Sequence, residues 1–122
     1  QNDVAQFRLA SLLQEEFGKV EESHFWFSKS ARLGNPEAHL ALAANFILGR
    51  GVEKNLTFAH VSCSLATFFS RDIASISRSI QLRTELETKM SIDQIKRAEE
   101  LSRKCIEKKF KECMNHLTSE GR

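Results

Sequence analysis

Three cysteines and four histidines are the side chains of this 122-residue sequence best suited to redox, metal or nucleophilic chemistry. Cys105 and Cys113 are eight residues apart. On one continuous helix they would lie ~12 Å apart, beyond the roughly 7 Å that a disulfide tolerates between Cα atoms. They can pair only if the helix carrying Cys105 ends near residues 106–108 and the chain turns back. Otherwise both stay thiols, or one bonds Cys63. Cys63 itself sits among apolar residues at helical spacing and reads as a small buried hydrophobe. Cys113-x-x-His116 and His60-x-x-Cys63 each put two metal-ligating side chains on one helix face, but neither has the second matching pair of a zinc site. His24, His39 and His60 follow no zinc-enzyme spacing. No G-x-S-x-G elbow or phosphate-cradling loop is present; Gly49-Arg50-Gly51 reads as a turn between helices. Asn55-Leu56-Thr57 fits a glycosylation triplet, which matters only in a eukaryotic secretory pathway. The expectation is a protein without metal, cofactor or catalytic residues.

Composition narrows the setting. A 41% apolar fraction supports a folded core, and the length suits one domain over residues 1–122. Nine Phe with one Trp and no Tyr point to rings that fill a core rather than present a hydroxyl. Five Gly and one Pro are too few for a turn-rich β-sandwich. The net charge of +2 is spread evenly, and the most basic stretch, residues 96–111, is diluted by Glu99, Glu100 and Glu107, so it reads as a solvated helix face. No nucleic-acid partner is expected. No apolar run approaches the ~18 residues that span a bilayer, so no membrane insertion is expected. A chain opening on Gln1 rather than Met is expected to be a processed or trimmed segment.

The elements that must position these residues are helical. Apolar spacings of three and four predict helices over Asp3–Phe17, Glu22–Leu33, Pro36–Leu48, Lys54–Phe69 and Arg71–Met90, and a last one opening at Ser91. Asn35-Pro36-Glu37 combines an N-cap, a proline tolerated in the first turn and an acid at the positive end of the helix dipole. Asp3 is placed to cap the first helix, and Ser91 with Gln94 forms a capping box. The tail from Asn115 is polar and expected to fray. The pattern predicts an all-α stack of about six antiparallel helices.

The stack repeats itself. Ala5, Leu9, Ala10 and Gly18 recur as Ala38, Leu42, Ala43 and Gly51 at an offset of 33 residues, a period typical of helix-pair repeats. The second unit carries Gly34-Asn35-x-x-Ala38, Leu42-Ala43, Phe46, Gly49-Arg50-Gly51-Val52, Ala59 and Ala66. This pattern resembles the Sel1-like repeat, a relative of the tetratricopeptide repeat. The first unit follows it through Trp26 and Ala31, with its turn shortened to Gly18-Lys19-Val20, and Ser62 stands where the second unit would carry the tryptophan. Residues 3–34 and 35–69 form the two repeats, and 71–114 resemble terminal capping helices only loosely, through Met90-Ser91 and the Gln94-to-Leu101 helix.

The resemblance implies an α/α solenoid in which the first helix of each pair lines a concave face. With the repeat-signature positions facing the core, His39 and Asn45 are expected to project outward. At the repeat offset His39 corresponds to Gln6, with Arg8 beside it. These four are the candidate partner-binding residues. Exported Sel1-like proteins resemble this chain in a C-terminal cysteine pair, which implies a Cys105–Cys113 bridge and an extracytoplasmic, periplasmic setting. The function implied is a protein–protein interaction module of an exported bacterial protein, in its sharpest form an immunity protein neutralising a toxic secreted effector of phospholipase type. A periplasmic or envelope scaffold in motility or secretion is the alternative, and a hydrolytic enzyme, which would need a deep polar pocket with a perturbed titratable group, is the less favoured one.

Overall fold

A computed structural model describes residues 2–107, and within them the chain is all-helical. The six helices are α1 (Asn2–Glu15), α2 (Val20–Arg32), α3 (Pro36–Leu48), α4 (Leu56–Phe69), α5 (Ile73–Glu87) and α6 (Ile92–Glu107). The all-α class and the helix number match the sequence reading. Cys113, His116 and the polar tail lie outside the described residues.

Caps set the boundaries. Asn35, Asn55 and Asp72 each stand just before a helix, and each side-chain oxygen accepts the backbone N–H three residues on, from Ala38, Phe58 and Ser75. The Ser91–Gln94 box is reciprocal: Gln94 N–H donates to Ser91 Oγ at 3.1 Å and Ser91 N–H to Gln94 Oε1 at 2.9 Å. Asp3 departs from expectation. It lies inside α1, and its carboxylate accepts from Asn35 Nδ2 at 2.9 Å, tying α1 to the start of α3. α2 begins at Val20 rather than Glu22, because the turn at Gly18 closes early, with Lys19 N–H on the Leu13 carbonyl at 2.9 Å.

Packing runs in chain order: α1 on α2, α2 on α3, α3 on α4, and α4 on both α5 and α6. α4 is therefore the hub. Phe58, Ala59, Val61, Cys63, Leu65 and Ala66 are all buried on it, and it carries no charged residue. A helix apolar on every side is a buried helix. The signature alanines sit at the seams: Ala38, Ala43, Ala59 and Ala66 are fully buried, as are Ala10 and Ala31. The first helices of the three hairpins stand side by side at their N-terminal ends. Asp3 meets Asn35 across α1 and α3, while Glu37 on α3 takes hydrogen bonds from Ser75 Oγ at 3.3 Å and Arg78 Nη2 at 3.2 Å on α5.

The glycine signature has a steric reason at Gly51. Its φ is +73°, and a Cβ built there would overlap the Val20 carbonyl oxygen. The turn between α3 and α4 thus rests directly on the start of α2, where only glycine fits.

Candidate interaction surface

α3 explains what this fold can present. It lies between two helices, so it buries two stripes instead of one. On one stripe, Ala38, Leu42 and Asn45, the Asn45 amide Nδ2 faces His24 Nδ1 of α2 at 3.3 Å. On the other, His39, Ala43 and Phe46, the His39 ring stacks on Phe69 and the Phe46 ring meets Phe58 edge-on, both on α4. Only the remaining third of the helix faces outward.

That geometry corrects the sequence reading. His39 and Asn45 do not project outward: both have zero exposure. His39 is uncharged, its pKa pushed down to about 3 by burial and partly restored by a bond to the Ala31 carbonyl. Asn45 is a hub of the turn. Its Oδ1 accepts from Arg50 Nε at 3.1 Å, and its carbonyl accepts the N–H groups of Gly49 and Arg50. Gln6 is half-buried with its Oε1 inside, and Arg8 alone of the four is exposed. The structure does not bring the four together as one site.

The outward third of α3 carries Leu40, Ala41, Ala44, Ile47 and Leu48, all half-buried except Leu48, which is 65% exposed. From Ala38 to Leu48 the helix holds no charged residue. At the 33-residue spacing α1 carries Phe7 at the position of Leu40 and then the polar Arg8, Ser11, Gln14 and Glu15, while α5 exposes Ser77, Gln81 and Thr84 together with Ile73 and Ile80. An apolar strip with a polar border is the signature of a protein-binding surface. The absence of charge from Ala38 to Leu48 was the signal for it in the sequence.

Two grooves flank this architecture. One, of about 960 Å³, runs between the first half of α2 and the Gly49–Glu53 turn; Glu21, Glu22, Glu53, His24 and Phe25 line it. The other, of about 660 Å³, crosses the N-terminal ends of α1, α3 and α5. Neither aligns a nucleophile with a base. Cys63 is buried, and burial pushes its thiol up to about 12, so it stays protonated at neutral pH and is no nucleophile. His60 Nε2 donates to Glu87 Oε2 at 2.7 Å as a tie between α4 and α5. No group of three metal-ligating side chains occurs among the described residues, and no described helix is long and apolar enough to cross a membrane.

No family model, curated protein or solved structure matches this chain.

Proposed function

We propose that this chain is a Sel1-like repeat protein that binds a partner protein across the outward face of α1, α3 and α5, and that it works by binding rather than by catalysis. One observation carries the reading: α3, the middle helix of that face, leaves Leu40, Ala44 and Ile47 half-buried and Leu48 exposed, with no charge among them. An apolar strip left half-covered on an otherwise well-capped helix weakens solubility without aiding the core, and a protein partner is what gives it a use.

The narrower form of the proposal takes the partner to be a toxic secreted effector and this chain its immunity protein in the bacterial periplasm. The signature residues Gly34, Asn35, Ala38, Leu42, Ala43, Gly49, Gly51, Val52, Ala59 and Ala66 support the repeat assignment by their places at caps, turns and seams. The Cys105–Cys113 bridge is part of the same proposal. Cys105 is fully buried on α6, and Cys113 is outside the described residues.

The test is a capture experiment from the source organism, with wild type and the Leu40→Lys/Ala44→Glu variant as parallel baits and mass spectrometry of what each retains. One partner retained at 1:1 by wild type, lost by the variant and silenced in its toxicity by the wild type supports the immunity form. Several partners of moderate affinity, all lost by the variant, support a scaffold instead. Equal capture by both baits overturns the assignment of this face.

A further inference from the structure

One motif of the sequence plays no part in the α3 face. Asn55-Leu56-Thr57 is the single place where an asparagine is followed two residues on by a hydroxyl side chain. Read as a triplet, it matters only in a eukaryotic secretory pathway. Bacterial oligosaccharyltransferases accept a longer form, with an acid two residues before the asparagine and no proline on either side of it. Glu53-Lys54-Asn55-Leu56-Thr57 has that form.

The fold sets these five residues at the edge of an element rather than inside one. Glu53, Lys54 and Asn55 belong to the connection between α3 and α4, and α4 starts at Leu56. Glu53 and Lys54 are exposed, and Glu53 forms no ion pair among the described residues. Asn55 is extended, at φ −156° and ψ 101°. Its amide is divided between two roles. Oδ1 caps α4 by accepting the Phe58 N–H at 3.0 Å. Nδ2 has no partner among the described residues and is open to solvent. A side-chain amide nitrogen carries two hydrogens, so a sugar that replaces one of them leaves the capping oxygen where it is. The Thr57 hydroxyl is likewise open and unpartnered among the described residues. The first amides of a helix have no intrahelical acceptor. Drawing out residues 55–57 therefore opens three hydrogen bonds: the cap, Ala59 N–H to the Asn55 carbonyl at 3.0 Å, and Asn55 N–H to the Phe46 carbonyl at 2.9 Å.

We propose that Asn55 is an acceptor for an N-linked glycan, transferred to the folded chain by an oligosaccharyltransferase of the bacterial kind. The donor is an oligosaccharide linked to a polyprenyl diphosphate. Asn55 Nδ2 forms a bond to the anomeric carbon of the donor sugar and gives up one proton to solvent. The bond from that carbon to the diphosphate oxygen breaks, and the polyprenyl diphosphate leaves with the electron pair. The modification needs the export proposed above; it does not depend on the α3 face.

The test uses the purified, folded chain with a purified bacterial oligosaccharyltransferase and its lipid-linked oligosaccharide, read by intact mass and peptide mapping. A standard acceptor peptide establishes that the transferase is active. Asn55→Asp keeps a capping oxygen, Thr57→Val keeps the side-chain shape and Glu53→Gln alters an exposed residue, so all three fold, which a thermal melt checks. The expected result is one oligosaccharide added to wild type on Asn55, and none added to any of the three variants. Transfer to a synthetic peptide of residues 51–59 but not to the folded chain overturns the proposal, as does no transfer to either. Transfer that persists in Asn55→Asp places the glycan elsewhere and also overturns it. Transfer that persists in Glu53→Gln removes the bacterial form of the motif, and the proposal with it. No export step enters this reaction, so its failure leaves the proposed export standing; that reading falls instead if the chain is found only in the cytoplasm of the source organism.

Discussion

His39 sits stacked on Phe69 with no exposure, and burial holds its pKa near 3, against an ordinary value of 6.5. The sign of the consequence follows directly. Above pH 6.5 the ring is neutral in both folded and unfolded chains, and pH has no effect through it. Below 6.5 the unfolded chain takes up a proton that the folded one refuses, so stability falls as pH drops from 6.5 toward 3. The loss approaches ~1.4 kcal/mol per pH unit, or about 2 kcal/mol between pH 8 and pH 5. Urea unfolding at those two pH values should show that loss in wild type and much less of it in His39→Gln; equal losses would contradict the buried neutral ring. Gly51 gives a second prediction at this scale. Gly51→Ala must strain a positive φ and displace the Val20 backbone, so it should cost more than the ~1–2 kcal/mol of a left-handed alanine alone. Gly18→Ala, with φ +63° and open space around it, should cost only that ~1–2 kcal/mol. Equal destabilisation of the two would remove the steric account of the turn. Both glycines were legible from the repeat spacing, and so were the caps at Asn35 and the Ser91–Gln94 box, because caps and turns are local. His39 and Asn45 were misplaced for a reason equally physical. Periodicity says which residues are apolar, but a helix flanked on two sides buries a second stripe, and that stripe here holds polar residues with specific partners.

Among the elements, the α4–α5 seam differs from the rest. His60 meets Glu87 at 2.7 Å, Arg83 donates to Ser64 Oγ at 3.2 Å, and Thr67 and Ser79 hydroxyls lie 2.7 Å apart. The positions step by one turn along α4 as they step back one turn along α5, giving an antiparallel polar ladder. α5 itself buries only Ser75, Ser79 and Leu86. A seam of hydrogen bonds gives less net stabilisation per contact than one of buried apolar area, because unfolding returns those groups to water. Native-state hydrogen exchange should find the α5 amides opening at lower free energy than those of α3 and α4. Protection of α5 equal to that of α4 would argue against it. Glu87→Ala should destabilise by about 1–3 kcal/mol, since the His60 N–H is left buried without its acceptor; a change below the error of urea unfolding would show the tie to be idle. The helices were readable from spacing to within a few residues. The ladder was not, since polar residues at 60, 64 and 67 on one strongly apolar helix reveal their partners only when α5 is placed against them.

At the scale of the whole molecule, three helical hairpins stand in order, with α1, α3 and α5 joined at their N-terminal ends by the Asp3–Asn35 and Glu37–Ser75–Arg78 contacts. The proposed Cys105–Cys113 bridge has a direct chemical consequence here. The unreduced, denatured protein should show one reactive thiol, Cys63; three would remove the bridge and the oxidising compartment with it. In the native state Cys63 should stay unreactive, being buried with its thiol held protonated. The stacking of the hairpins followed from their short connections and small seam residues. The binding face did not, because exposure of Leu40 and Ala44 depends on which helices leave α3 uncovered. The central claim is that this uncovered strip is where a partner protein sits. A photo-crosslinking phenylalanine analogue placed at position 40 and, separately, at position 100 on the charged outer face of α6 tests it directly in extracts of the source organism. A discrete crosslinked species from position 40 and none from position 100 is the predicted result. Crosslinks from position 100 with none from position 40 would contradict it.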